Sequence, residues 1–193
     1  MKYYEVLAYN TQPIVDITEL KQHLRITFND DDNYIVDLEK AAVKMVEEFT
    51  NLFLLKTTGV QYGNTFNDLK ILFKSPLYPD AELSSRVSYY QNGGWIALPT
   101  IQREIVRAMK PSRVYATADF SNPTTDDVFQ AWKIEYTVGY LKTPEIPQPI
   151  KQAIKIIVSD MYENRQSVIV GKIVSVIPRT AQYLMNPYKI QTL

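Results

Sequence analysis

The chain has 193 residues, 46% of them apolar and 22% charged, and its 21 Lys and Arg residues balance 21 Asp and Glu residues. Zero formal charge argues against a broadly basic nucleic-acid surface, and the absence of cysteine excludes disulfides, thiolate nucleophiles and Cys-bearing metal sites. No apolar run approaches the ~20 residues of a membrane span, and "MKYYEVLAYNTQP" lacks the apolar centre of a signal peptide, so a soluble product made in a cytosol is expected.

The first strong element is "VDITELKQHLRI". Asp16 and Glu19 stand at capping-box spacing, and Ile17, Leu20 and Leu24 follow helical periodicity, which predicts a helix near 17–25. The turn "TFNDDDN" leads into a long amphipathic helix near 31–52, whose apolar stripe reads Tyr34, Leu38, Ala41, Ala42, Met45, Phe49 and Leu52. From Lys56 the period changes. "TTGVQYG", "LKILF", "RVSYYQ", "WIALP", "RVYATA" and "WKIEYTV" are short β-branched or aromatic runs separated by turn residues. The Asn-Gly pair of "QNGGW" predicts a hairpin between Val87–Gln91 and Trp95–Leu98, "SNPTTDD" reads as an exposed loop, and Ile101–Met109 fits a strand or a helical turn. The Pro-marked joint "KTPEIPQP" closes this section, and Pro149 suits the first turn of a helix near 149–167. The remaining tail, 168–193, is apolar but broken by Gly171, Pro178 and Pro187.

The expected fold is therefore α+β and mainly α. It is a single domain in which a small helical bundle (1–55 with 147–167) carries an inserted antiparallel β section (56–146) and a C-terminal arm (168–193).

Residues that could carry chemistry have plainer explanations. "NDDDN", Asn29 to Asn33, lacks the alternating ligands, Gly and closing Glu of a calcium loop and is better placed to cap the following helix. His23 is the only histidine, and no GxSxG or HExxH accompanies it. "YQNGGW" matches no phosphate-binding pattern. The stretch "DMYENRQS", Asp160 to Ser167, crowds acids, an amide and an arginine together. On a helix at ~100° per residue, Ile150, Ala153, Ile154, Ile157 and Met161 share one face, Asn164 and Arg165 continue it, and Lys151, Lys155, Ser159 and Glu163 face away. Asp160 and Glu163 do not aim into a common apolar pocket, so paired acid–base work is not indicated. Arg165 on a buried stripe needs a carboxylate partner, and Glu48 on the long helix is the preferred one. Asn164, Arg165 and Glu48 are thus read as a structural latch, with no catalytic, cofactor-binding or metal-ligating residues.

The order of these features resembles the head–tail connector family of tailed bacteriophages and prophages, also called adaptor or DNA-packaging connector proteins. The resemblance rests on "ITELKQHLRITFNDDDNYIVDLEKAAVKMVEEFTN", "RVSYYQNGG", "WKIEYTVGY", "IPQPIKQAIKIIVSDMYENRQS" and the closing "LMNPYKI". It implies a virion protein without catalysis or cofactor, made in the host cytoplasm. Such a protein forms a homo-oligomeric, dodecameric ring beneath the portal and joins it to a head-completion (stopper) or tail protein. DNA passes through the ring without specific binding. Fourteen tyrosines suit interfaces, and zero net charge suits a channel that does not grip phosphate. Within this reading Tyr183, Leu184, Pro187 and Tyr188 are expected to anchor the arm on the portal, and the loops 92–94 and 121–127 to face the channel or the tail-side partner. A DNA-binding packaging factor, drawing on the basic residues from Gln102 to Arg113, and a tail-completion protein are the alternatives.

Overall fold

The structure, a computed structural model, describes residues 3–72, 74, 86–106, 111–164 and 177–190. It divides into two compact units, each assembled from separate stretches of chain. One comprises Met1–Asn10, Asn51–Leu141 and Ile190–Leu193, and the other Thr11–Thr50 and Lys142–Lys189.

The first unit is built on β1 (Tyr3–Tyr9), β2 (Thr57–Gly63), β3 (Arg86–Gln91), β4 (Gly94–Ala97) and β7 (Trp132–Val138), an antiparallel sheet in the order β1-β2-β7-β3-β4. A separate two-stranded ribbon pairs β5 (Arg103–Val106) with β6 (Arg113–Ala116). Strand alternation explains the core. Trp132, Ile134, Tyr136 and Val138 point inward at two-residue steps, while Lys133 and Glu135 between them form an ion pair at 2.8 Å. Phe53, Phe66, Leu69, Leu72 and Val87 complete the same apolar cluster, and Phe66 meets the rings of Trp132 at 5.6 Å and Phe120 at 4.9 Å. The segment after the long helix, Leu52 to Leu55, is buried and runs beside the end of β7. There Tyr140 exchanges backbone hydrogen bonds with Leu54 (3.0 Å) and Lys56 (3.1 Å). Gly139 makes that approach possible: its φ is +91°, and a Cβ there would lie 2.2 Å from the Leu55 carbonyl oxygen.

The hairpin forms where the Asn-Gly pair predicts it. Tyr89 faces Ile96, Tyr90 faces Trp95 and Gln91 faces Gly94, with Asn92 and Gly93 at φ +52° and +75° in the turn. Ile101–Met109 resolves, over its described part, into a 3-10 turn (Thr100–Gln102) followed by β5.

The second unit contains α1 (Ile17–Leu24), α2 (Asp32–Thr50), α3 (Gln148–Glu163) and α4 (Arg179–Met185). Asp16 caps α1 by accepting from the Thr18 N–H at 2.7 Å, and Arg25 ends it at φ +58°. Glu19 does not close a capping box but pairs with Lys155 of α3 at 2.7 Å, so Lys155 is not simply solvated. On α3, Ile150, Ala153, Ile154 and Ile157 are buried as their spacing predicts, together with Val158.

Three expectations are corrected. The fold is a mixed α+β arrangement rather than a mainly helical bundle, because the sheet gains β1 from residues assigned to the helical part. The buried face of α2 is Ile35, Glu39, Ala42, Val43, Val46, Glu47 and Thr50, rotated from the expected stripe because two glutamates lie on the inward side. The tail is not a free arm over its described part: α4 packs on α3, with Ala181 and Met185 fully buried.

Candidate functional site

The described part of "DMYENRQS", Asp160 to Asn164, meets the acidic run "NDDDN" within the helical unit through Tyr162. Tyr162, near the end of α3, donates its hydroxyl proton to the Asp31 carboxylate at the start of α2, and its ring lies 6.1 Å from that of Tyr34. Lys21 of α1 reaches the same place, donating to Asn29 at 2.6 Å and to Asp32 at 2.8 Å. The side chain of Lys21 is only 14% exposed, so its ammonium gives up most of its water and is compensated by these oxygens. Three helices are thus joined by one polar bracket at the N-terminus of α2, where carboxylates also favour the helix dipole. The acidic run is a capping and bracketing element.

The residues expected to form a latch fall differently. Asn164 does not continue the buried stripe. It is exposed and ends α3, its side-chain amide donating back to the Asp160 carbonyl at 3.0 Å and the Asp160 carboxylate at 3.2 Å. The helix finishes at Glu163, so the helical projection no longer applies at Asn164, whose φ and ψ are −105° and 55°. Glu48 lies on the exposed side of α2, Glu163 is exposed as expected, and Arg165 is outside the described residues. The bracket through Tyr162 was missed because a tyrosine on a partly apolar face reads as packing. Its signal is the oxygen-rich run that a buried hydroxyl can reach.

Tyr183, Leu184, Pro187 and Tyr188 sit on α4 and the 3-10 turn after it (Asn186–Tyr188). Tyr183 is 74% exposed and Pro187 is exposed, whereas Leu184 and Tyr188 are half-buried. Lys189 places its ammonium 4.7 Å from the centre of the Phe49 ring.

In the sheet unit the loops 92–94 and 121–127 form a single tip. The Asp126 carboxylate accepts the Asn92 N–H at 3.1 Å and the Gly93 N–H at 3.0 Å, and its own N–H donates to the Tyr90 carbonyl at 3.0 Å. Just beyond, Val128 and Phe129 stand 43% and 73% exposed. Gln130 closes the loop at φ +61°, with its N–H donating to the Asn64 side chain at 2.9 Å. Two exposed apolar side chains on a loop pinned at both ends have the form of an anchor for a protein surface.

Two carboxylates are electrostatically distinctive. Burial pushes the Glu39 carboxyl above the usual carboxylate range, only partly offset by the Ile14 and Val15 N–H groups that it accepts. For Asp68 burial acts upward as well, yet donation from the Thr65 N–H and hydroxyl and from the Asn64 N–H holds its carboxyl below that range. His23 is exposed in the last turn of α1. Among the described residues no group of three or more His, Asp and Glu side chains is placed to hold a metal ion.

The family of phage gp6-like head-tail connector proteins matches the chain over residues 14–93, from the segment that Glu39 secures to the tip of the hairpin. That match is a likeness to the connector family over 80 of the 193 residues. No curated protein matches the chain. Solved structures share the fold of this chain over almost its whole length. The neck of an empty GTA particle computed with C6 symmetry contains a chain of 15% identity and TM-score 0.76, the likeness covering 99% of this chain and 97% of that one. A chain in the virion of a native gene transfer agent (GTA) particle is 16% identical with TM-score 0.76, over 98% and 96%. A chain in the neck of the native particle computed with C12 symmetry is 14% identical with TM-score 0.74, over 99% and 97%. At these identities the likeness is one of fold.

Proposed function

We propose that the protein is a structural, non-catalytic head–tail connector of a phage-like virion, forming a closed ring beneath the portal and joining it to the head-completion or tail protein, with DNA passing through. The carrying observation is the connector match over residues 14–93, extended by a fold shared end to end with chains of particle necks. The C6 and C12 symmetries of those necks support a ring, which needs a contact between two different surfaces of one subunit. The balanced charge of 21 basic and 21 acidic residues supports passage of DNA without specific binding.

Tyr183 and Pro187, with half-buried Leu184 and Tyr188 beneath them, are the proposed portal contact, because they are presented by a helix already packed on α3. The tip made by loops 92–94 and 121–127, with Phe129 beside it, is the proposed contact for the tail-side partner. Asn164, Arg165 and Glu48 remain a proposed latch for the end of α3, and Arg165→Met should lower stability or assembly if it is one.

The native mass of the purified protein with and without its portal tests the ring. A high-mass assembly that appears only with the portal is expected, and a subunit whose mass the portal leaves unchanged overturns the reading. Removing the tail would also remove buried Ala181 and Met185, so Tyr183→Ala, which touches only an exposed ring, is the cleaner test of the portal contact. Full portal binding by that variant would refute the assignment.

A further inference from the structure

A cavity of about 140 Å³ opens in the helical unit between α2, α1 and the segment that leads into α1. Val15, Ile17, Leu20 and Val36 form apolar walls, and Asp16 and Glu39 contribute carboxylates. Glu39 is only 4% exposed, and both of its backbone donors, Ile14 at 2.8 Å and Val15 at 3.3 Å, end on Oε1. Among the described residues no donor reaches Oε2. Lys40, also in the lining, directs its ammonium to Asp37 at 2.9 Å. An ionised carboxylate this deep is costly unless a cation or further donors compensate it; here the two backbone donors share Oε1, and the charge of nearby Lys40 offsets only part of the burial.

We infer that the cavity is a socket for a lysine side chain presented by a neighbouring protein chain. The four methylenes of lysine match the apolar walls, and its ammonium meets Oε2 of Glu39 at the inner end, with the Asp16 charge nearby. Lysine fits better than arginine, since a single available oxygen suits a compact ammonium and leaves a guanidinium fork half-paired. Charge complementarity sets the class of ligand: the lining holds two carboxylates, and its one ammonium, Lys40, is hydrogen-bonded to a third, Asp37, and offsets Glu39 only in part. Burial raises the Glu39 carboxyl, and an ammonium beside Oε2 would act in the opposite direction by favouring the ionised form. That the neighbouring chain belongs to the neck of a particle rests on the connector reading, whereas the socket itself does not.

The test is a titration of the full-length, ¹⁵N-labelled protein with n-butylammonium chloride, followed at the Ile14 and Val15 amides. Saturable shifts are expected, with at least fivefold weaker binding of 1-butanol, the neutral analogue. Nα-acetyl-lysine methylamide should bind at least as well as n-butylammonium, because the socket takes a side chain attached to backbone. Glu39→Gln keeps an acceptor for the two N–H groups and should weaken n-butylammonium at least fivefold. Val36→Phe, which fills the cavity from its half-buried wall, should do the same without touching the carboxylate. Equal affinity for butanol, or unchanged binding in the folded variants, overturns the socket. Exclusion of the capped lysine overturns its assignment to a protein lysine. Any of these failures leaves the connector reading intact, since that reading is tested by native mass with the portal.

Discussion

Two glycines, both at positive φ, should respond very differently to a single methyl group. Gly93 (φ +75°) lies in the hairpin turn, and a Cβ there would meet nothing within 4 Å. Gly93→Ala therefore adds only the strain of a left-handed conformation, about 1–2 kcal/mol. Gly139 (φ +91°) would carry the same strain and also drive its Cβ to 2.2 Å from the Leu55 oxygen and 2.5 Å from the Leu55 carbon. Both obstacles are backbone, so relief requires the chain at 54–56 to move away from Tyr140. That movement breaks the two hydrogen bonds of Tyr140, each costing about 1–3 kcal/mol when the groups are left unpaired. The expected loss for Gly139→Ala is about 3–8 kcal/mol. At ~2–4 °C per kcal/mol for a chain of this size, the melting temperature falls by roughly 6–30 °C, against about 2–8 °C for Gly93→Ala. Urea unfolding and calorimetry on both variants measure the difference. If the two agree within about 1 kcal/mol, the close approach at Leu55 does not govern Gly139 and the reasoning is wrong.

Tyr162→Phe keeps the ring against Tyr34 but removes the hydroxyl from Asp31; a loss of about 1–2 kcal/mol is expected, and a double-mutant cycle with Asp31→Asn should show strong coupling. Simple additivity would refute the bracket. Because the folded-state pKa of Asp68 is depressed, its contribution to stability is present above the unfolded value of ~3.9 and is lost as pH falls through the folded value, so Asp68→Asn should flatten the acid limb of a stability–pH curve. Glu39 has the opposite sign. Its folded pKa is raised, so its contribution is present below the unfolded value of ~4.3 and is lost as pH rises through the folded value; Glu39→Gln should lack that decline in thermal melts across the same range. Asp126→Ala should speed hydrogen exchange at the Asn92 and Gly93 amides at least tenfold, and unchanged rates would show that the two loops are not joined.

Local rules carried far in this sequence where one side of an element is apolar and the other polar. The α3 face from Ile150 to Ile157, the Asn-Gly hairpin and the Pro149 start were all visible for that reason. The reading failed on α2, where Glu39 and Glu47 are 4% and 1% exposed. A buried carboxylate looks like a surface residue in any hydropathy pattern, and its compensation by the Ile14 and Val15 N–H groups comes from 24–25 positions away. Strand β1 carries little signal as an isolated edge strand until its distant partner, β2, is known. The stretch "WKIEYTVGY" carries part of the family resemblance, but its need for glycine at Gly139 is explained only by Leu55 beside it. The same holds for the candidate surfaces: Phe129 and Tyr183 are unremarkable letters until the structure leaves them exposed on supported backbone.

The interleaving of the two units has a consequence for synthesis on the ribosome. Helices α1 and α2 emerge early, but α3 and α4 follow only after the 91 residues from Asn51 to Leu141 have been made. At ~5–20 residues per second that interval is about 5–20 s, long compared with the time a helix needs to form. Throughout it Ile35, Val43 and Val46 lack the α3 residues that complete their unit, and the nascent chain passes through a stage with an uncovered apolar helical face. Aggregation and chaperone capture should therefore concentrate on chains arrested between residues 60 and 140, rather than on finished subunits.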